Sequence, residues 1–175
     1  IGAGVAGTEA IKKAIDNRAK VKIIDMSVEK LNYLKDKFGD KNIDYIISSE
    51  SSIEDAIKES DMVIGAVYVI GKQAPKVIKR SMLKLMKPGT VMVDISIDQG
   101  GCFESSKPTT HDNPTYDEDG IIHYCVTNMP GAVPLTATES LNKATLPYIL
   151  ELANKGIETA LKENPHLANG LNIQN

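Results

Sequence analysis

The sequence predicts an α/β fold built on a parallel sheet. Short runs rich in valine and isoleucine alternate with longer amphipathic stretches through the first 126 residues. Continuous apolar runs of strand length are typical of parallel strands that are buried on both faces. A glycine-rich turn at the start of the sequence precedes the first amphipathic stretch. Together these observations predict alternating strands and helices joined by right-handed crossovers.

Five runs have the length and composition of buried strands. They are VKIID (21–25), IDYIIS (43–48), DMVIGAV (61–67), TVMVDIS (90–96) and IIHYCV (121–126). Four stretches carry apolar residues at three- and four-residue spacing, which predicts amphipathic helices. They are residues 8–17, 27–39, 52–60 and 74–86. Ser27 is placed to cap the second helix, and the KPG sequence at 87–89 ends the fourth.

The pattern changes after residue 126. Residues 127–140 (TNMPGAVPLTATES) hold two prolines and many small residues, so they predict a loop. Residues 141–164 predict a helix that Pro147 either starts or kinks, and the remaining residues predict a tail. We therefore expect a sheet domain over 1–134 and a C-terminal helical segment over 135–175.

Composition narrows the classes of function. The formal net charge of -3 argues against a nucleic-acid surface, which needs a basic patch. No apolar run approaches the roughly 18 residues of a membrane helix, so we expect no membrane span. Cys102 and Cys125 form no CxxC pair, which favours two reduced thiols in a cytoplasmic protein and no metal site.

Gly2, Gly4 and Gly7 form a GxGxxG motif ahead of the first helix. The strand that follows ends in Asp25, 18 residues beyond Gly7, close to the spacing of about 20 found in dinucleotide-binding folds. The three glycines serve a tight turn, close approach to a pyrophosphate, and close packing of helix on strand. The helix N-terminus then binds the phosphates.

A carboxylate at Asp25 binds both ribose hydroxyls and repels a 2′-phosphate, so NAD is favoured over NADP. These features predict a Rossmann doubly wound parallel sheet. The alternative is a close helix–strand crossing without a ligand. We expect Ile1 to be the last residue of a truncated central strand, because a sheet without that strand leaves ladder groups unpaired on both neighbours. We therefore expect the sequence to belong to a longer chain.

Residues 93–116 hold the other candidates for chemistry. Asp94 and Asp98 lie at the carboxyl end of a predicted strand, where ligands bind in open α/β sheets. A polar strand-to-loop transition is the alternative. His111 lies in a polar loop, whereas His123 lies in an apolar run and favours a core role. No Ser-His-Asp order and no phosphate-binding Walker loop are present in the sequence.

Several stretches resemble the alanine dehydrogenases, which are related to the α-subunit of proton-translocating transhydrogenase. They are IGAGVAGTEA, DMVIGAV with GKQAPK, MKPGTVMVDISIDQGGCFESSKPTTHDNPTY, HYCVTNMPGAVPLTAT and KATLPYILELANKG. The resemblance extends from residue 1 to about 156, and DQGGCFE with PTTHD is its most specific part. It implies reversible NAD-dependent oxidative deamination of L-alanine to pyruvate and ammonium, in a homo-oligomer that is usually a hexamer.

The resemblance also implies roles for individual residues. Asp98 is the expected catalytic residue, beside the nicotinamide and the substrate. The expected cofactor-binding residues are Gly2, Gly4, Val5, Ala6, Gly7, Asp25, Lys30, Ser48, Ala66, Val67, Tyr68, Asn128 and Met129. Lys30 is expected near the adenine ribose and Ser48 beside the adenine, and Tyr68 stands where the family more often has an aliphatic residue.

In the family, a histidine, an arginine and a lysine that act on the substrate precede the glycine turn, and this chain contains none of the three. The chain then represents the cofactor half of a two-domain enzyme. The alternative is a non-catalytic NAD-binding module of transhydrogenase type, which needs Asp25 but not Asp98. Another amino-acid dehydrogenase, such as a lysine-forming relative, is disfavoured by the DQGGCFE run.

Overall fold

The computed structural model describes residues 1–172 and divides into two compact units, Ile1–Met129 and a second that begins at Pro130. The elements of the first unit are α1 (Val5–Asp16), β1 (Val21–Asp25), α2 (Val28–Phe38), β2 (Ile43–Ile47), α3 (Glu50–Glu59), β3 (Met62–Gly65), β4 (Val91–Asp94), β5 (Thr115–Glu118) and β6 (Ile121–Tyr124). The second unit contains α4 (Pro134–Lys155), α5 (Ile157–Glu163) and α6 (Pro165–Ala168). No helix within the described range has the length and apolar character needed to cross a bilayer.

The strands of the first unit form two sheets. β1 and β2 pair in parallel, and β3, β4 and β6 form a second parallel set with the order β3–β4–β6–β5. β5 pairs antiparallel to β6 at the edge. The prediction of a parallel α/β sheet is confirmed. All five predicted strands are present, β1 with the predicted bounds and the other four with shorter ones.

The backbone of Ile1 and Gly2 connects the two sheets. The amino group of Ile1 donates to the carbonyl of Ile64 at 2.7 Å, and the carbonyl of Ile1 accepts from the amide of Ala66 at 2.8 Å. The amide of Gly2 donates to the carbonyl of Ile24 at 2.8 Å. Ile1 therefore lies between β1 and β3, where the central strand is predicted. A cavity of about 470 Å³ adjoins it, bounded by β1, β3 and α1.

Two apolar clusters support the sheets. One joins β1 and β2 to α1 and α2 and includes Leu31, Leu34 and Ile43. The other joins β3 and β4 to α3 and to the segment before β4, and it includes Met92 and Phe103. Helix packing on these parallel strands explains why their sequences read as continuous apolar runs. The clusters hold the carboxyl ends of β1, β3 and β4 in fixed positions for the loops that follow.

The predicted helix over 74–86 is wrong in its first half. Residues 74–78 are not helical and pair with the loop after β4: the amide of Val77 donates to the carbonyl of Cys102 at 2.8 Å, and Ile78 bridges Phe103. Only Arg80–Leu85 is helical, as a 3₁₀ turn. Pro75 disfavours helical backbone at the residue before it, and the loop supplies the backbone partners that a helix would otherwise provide.

The predicted loop over 127–140 is also wrong in part, because α4 already begins at Pro134. Proline is favourable at the first position of a helix, where its missing N–H costs nothing and its φ is already helical. The helix then continues through Pro147 to Lys155. β5 was missed because a four-residue edge strand with the sequence TYDE lacks the apolar signal of the buried strands. The proposed division at 134/135 stays a prediction.

His123 belongs to the core of the first unit and is fully buried. Its Nδ1 donates to the carbonyl of Ile121 at 3.0 Å, so its Nε2 accepts from Ser105 Oγ at 2.8 Å. Its ring stacks on Tyr116 with 4.9 Å between centroids. Both ring nitrogens are thus used by the neutral form, and burial lowers the pKa of His123.

We expect His123 to make the protein less stable below pH 6.5. Below this ordinary pKa the unfolded chain binds a proton that the folded chain does not, so the free energy of unfolding falls by up to about 1.4 kcal/mol per pH unit until the folded pKa is reached. Above pH 6.5 His123 does not make the free energy of unfolding depend on pH. Urea unfolding at pH 7.5 and 5.5 measures the effect, and His123→Phe should lose it. An equal loss in both proteins would contradict this assignment.

Candidate functional site

The first part of the site is the glycine turn, which lies between the carboxyl ends of β1 and β3. Gly2 has a φ of +85°, in the left-handed region that favours glycine. A Cβ at Gly2 would lie 2.6 Å from the carbonyl oxygen of Ala66, against which the turn packs. Backbone conformation and space therefore both require glycine at this position.

Gly7 and Gly4 differ in their surroundings. Gly7 is buried in the first turn of α1, and a Cβ there would overlap the carbonyl oxygen of Gly2. Gly4 directly precedes α1, and no heavy atom of the described chain lies within 4 Å of the position its Cβ would take. The first turn of α1 holds no acidic residue, and its amide N–H groups have no partner within the helix. Because Val5 and Ala6 are exposed, these N–H groups are accessible, and this end of the helix can bind an anionic group.

Asp25 ends β1 and contacts the glycine turn directly. Its Oδ2 accepts from the amide of Ala3 at 2.7 Å, and its Oδ1 accepts from the amide of Ser27 at 2.9 Å. A carboxylate has about four acceptor positions, so two hydrogen bonds leave capacity for the hydroxyls of a ribose. The same carboxylate thus orients the turn and lies at the start of α2.

Ser48 is hydrogen-bonded directly to Asp25, whereas Lys30 is linked to Asp25 only through Ser27. Ser48, directly after β2, donates its amide to the carbonyl of Asp25 at 2.9 Å. Lys30 lies in the first turn of α2, and its amide donates to Ser27 Oγ at 3.1 Å, which confirms Ser27 as the cap of this helix. The structure therefore brings the predicted adenosine-side residues to one edge of the sheet.

The second part of the site is an open cleft of about 510 Å³ after β3 and β4. Tyr68 and Asp98 both line it. Ala66 is buried, and the carbonyl of Val67 accepts from Ser96 Oγ at 2.7 Å, so the chain after β3 is tied to the chain after β4. The cleft opens at the carboxyl ends of parallel strands, the usual position for a ligand in an open α/β sheet.

Asp98 lies in a 3₁₀ turn and is exposed to the cleft. Its two carboxylate oxygens lie 3.2 and 3.3 Å from the donating amide of Asn128. Asn128 has a φ of +51°, and its carbonyl accepts from His111 Nε2 at 3.1 Å. Met129 follows directly and is half-buried. The structure thus brings Asp98 and Asn128 together, as the resemblance implies, and adds His111 as a residue that holds the Asn128 peptide.

Other candidates lie elsewhere. His123 is enclosed in the core, and Cys102 and Cys125 are both free and buried. Sequence reasoning missed Lys76, whose ammonium donates to the backbone of the loop that carries Asp98. The apolar periodicity of residues 74–86 predicts a helix. Such a pattern does not predict that Lys76 contacts a distant loop.

Comparison with known proteins shows the family to which this chain belongs. The family profile described as "Alanine dehydrogenase/PNT, C-terminal domain" matches residues 1–175. The chain belongs to this family. It is 50% identical over 173 residues to an alanine dehydrogenase of Halomonas elongata, covering 99% of this chain and 46% of that protein. It is 47% identical to an alanine dehydrogenase of Methanococcus maripaludis, covering 100% of this chain and 47% of that one.

Solved structures agree with this membership of the alanine dehydrogenase/PNT family. A structure described as L-alanine dehydrogenase superposes with a TM-score of 0.87 at 48% identity, covering 99% of this chain and 47% of that chain. A transhydrogenase from Sinorhizobium meliloti superposes with a TM-score of 0.66 at 27% identity, covering 78% and 38%. The chain spans about half the length of the curated relatives it matches.

Proposed function

We propose that the intact protein that carries this chain is an NAD-dependent alanine dehydrogenase. It would convert L-alanine, water and NAD⁺ reversibly to pyruvate, ammonium, NADH and a proton, with this chain as its cofactor-binding half. The observation that carries the proposal is the common position of the two parts of the site: the glycine turn with Asp25 and the cleft with Asp98 both lie at the carboxyl ends of parallel strands. Relatives that are named alanine dehydrogenase and are about 50% identical to this chain support L-alanine as the substrate.

The residues present fit a nicotinamide dinucleotide. Space for a Cβ is missing at Gly2 and Gly7 but open at Gly4, so the backbone is accessible only where a pyrophosphate would approach the start of α1. We expect Asp25 to bind the adenine ribose. Ser48 is hydrogen-bonded to the Asp25 backbone, and Lys30 is linked to Asp25 through Ser27. The charge of Asp25 supports NAD rather than NADP, because a 2′-phosphate next to a carboxylate is repelled.

The chemistry would take place in the cleft. The nicotinamide ring, when bound, supplies the acceptor for the hydride that leaves the Cα of alanine. Asp98 faces the cleft with a carboxylate that stabilises positive charge developing on the substrate nitrogen and orients the water that adds to the imine carbon. Asn128 and Met129, held beside Asp98, would close over the nicotinamide, and Tyr68, with Ala66 and Val67, would line the groove.

Assembly and location complete the proposal. We propose a cytoplasmic homo-oligomer, a hexamer by resemblance, whose substrate-side residues come from outside this chain. Support for both comes from the resemblance to the family. The partners are L-alanine, pyruvate, ammonium and further copies of the protein, with neither nucleic acid nor membrane among them.

The absorbance of NADH tests the proposal. The intact protein should form NADH from L-alanine and NAD⁺, whereas the 175-residue chain alone should bind NAD weakly or not at all and give no turnover. An intact protein that binds NAD but forms no NADH would favour the non-catalytic module, the class to which the transhydrogenase similarity points. Turnover by the chain alone would show that no residue outside it is needed.

Asp25→Asn should weaken NAD binding and reduce the preference for NAD over NADP. The amide keeps the size of the side chain and one oxygen acceptor but removes the charge, so we expect the Kd for NAD⁺ to rise about tenfold, equivalent to about 1.4 kcal/mol. Calorimetric titration of the intact protein with NAD⁺ and NADP⁺ measures both effects. Asp44→Asn, at an exposed position on β2, is the matched control. An unchanged ratio of the two affinities would exclude Asp25 from cofactor selection.

A further inference from the structure

The carboxylate of Asp94, the last residue of β4, is fully buried. It accepts from the amides of Ser96 at 2.9 Å and Cys102 at 2.8 Å, from Ser106 Oγ at 2.5 Å and from the Cys102 thiol at 3.4 Å. A buried carboxylate is costly unless such donors replace water. All four donors are neutral and belong to residues 96–106, so this carboxylate organises that segment.

The two amide donors lie on either side of the turn that carries Asp98. Ser96 precedes the turn and Cys102 follows it, so one carboxylate holds both of its ends. Gly101 has a φ of +75°, and a Cβ there would lie 2.8 Å from Asp94 Oδ2. Glycine at this position therefore lets the backbone close around the carboxylate, an arrangement typical of anion-binding turns.

Lys76 contacts the same turn from its exposed side. Its ammonium donates to the carbonyl of Gly100 at 2.5 Å and to the carbonyl of Gly101 at 2.8 Å. The carbonyl of Gly101 and the amide of Cys102 belong to one trans peptide group and point in opposite directions. This peptide therefore lies between two charges, with the Lys76 ammonium at its oxygen and the Asp94 carboxylate at its N–H.

We propose that Asp94 and Lys76 are positioning residues that hold the Asp98 turn, so that the Asp98 carboxylate keeps its place in the cleft during the reaction. This inference rests on the proposed function, which assigns the chemistry to Asp98. The state of Cys102 agrees with it: burial, with the nearby Asp94 carboxylate, raises the pKa of this thiol to about 12, so it remains a protonated donor. Hydrogen bonds to a charged group are stronger than neutral ones, which suits a fixed turn.

Two substitutions remove these contacts with little change in size. Asp94→Asn replaces one acceptor oxygen by an NH₂ group that faces N–H or O–H donors. Lys76→Met keeps the length of the side chain and removes its donors. Asp61→Asn and Lys79→Met are matched controls, since Asp61 is exposed and Lys79 pairs with a surface glutamate.

Kinetics of the intact protein, measured well below the unfolding temperature of each variant, test the proposal. We expect kcat to fall about 100-fold for Asp94→Asn and about tenfold for Lys76→Met, with the KM for NAD⁺ within about twofold, because a small displacement of a reacting group is enough for such losses. In an Asp98→Asn background, Asp94→Asn should lower kcat little further, since both changes act on one group.

Amide hydrogen exchange gives a readout that does not depend on turnover. The Asn128 amide donates to Asp98, so its exchange should become about tenfold faster in Asp94→Asn if the turn moves. A wild type without alanine turnover would refute the proposed function and leave this measurement to decide the positioning role. Variants that lose thermal stability but keep the kcat and the Asn128 exchange of the controls would overturn the inference. If Asp94→Asn does not fold, Lys76→Met and Ser106→Ala decide it by the same measurements.

Discussion

Gly7→Ala should lower the unfolding midpoint of the protein by about 10 °C. The added Cβ would overlap the carbonyl oxygen of Gly2, and neither atom is at the end of a flexible side chain. α1 must then move away from the turn, which we expect to cost about 3 kcal/mol, the upper part of the usual range for overpacking. Gly2 is itself fixed between β1 and β3, so the strain cannot be relieved locally. Thermal unfolding followed by circular dichroism measures the shift.

Gly4→Ala is the matched control for this experiment and separates folding from binding. Gly4 has a φ of -65°, which alanine adopts without strain, and the space around its Cβ position is open. We expect the unfolding midpoint to stay within about 2 °C. The methyl group would nevertheless stand where the pyrophosphate approaches the backbone, so the Kd for NAD⁺ should rise about tenfold or more. Normal NAD binding by Gly4→Ala would place the dinucleotide elsewhere.

The strands of the first unit could be predicted because their signal is local. Residues 21–25 and 43–47 are short runs rich in isoleucine, and this composition alone predicts strands of a parallel sheet. Residues 74–78 could not be predicted in this way. Their periodicity matches a helix, but their backbone pairs with a loop more than 20 residues further along the chain, and such pairing leaves no signal in a short window.

The candidate site likewise has one part that local sequence signals predict and another part that only the tertiary structure brings together. The glycine motif and Asp25 could be found from spacing, because a turn, a helix and a strand set the distance between them. The candidate Asp98 was predicted from the resemblance and from its position after a strand. The contacts that hold it come from Lys76, from the buried Asp94 and from the left-handed backbone of Asn128, which are brought together only by the tertiary structure. Sequence periodicity carries no information about such tertiary contacts.

Asp98→Asn should lower the kcat for alanine oxidation in the intact protein by about 100- to 1,000-fold, the range expected when a group that stabilises developing charge is removed. Asparagine has nearly the same shape and keeps one oxygen for the amide of Asn128, so the turn should survive. What is lost is the negative charge at the cleft. NAD⁺ affinity should change by no more than about threefold, which corresponds to less than 1 kcal/mol. The reason is that the glycine turn and Asp25 are unchanged in this variant.

Steady-state kinetics with L-alanine, together with calorimetric titration of NAD⁺, measure the two effects separately. Asp112→Asn, at an exposed position in the polar loop that also holds His111, is the matched control and should leave both quantities unchanged. A fall in NAD⁺ affinity that parallels the fall in kcat would mean that the substitution disturbs the cofactor site as a whole. An unchanged kcat would mean that Asp98 only bonds the Asn128 amide, as expected of a polar strand-to-loop transition, and the catalytic assignment would then be wrong.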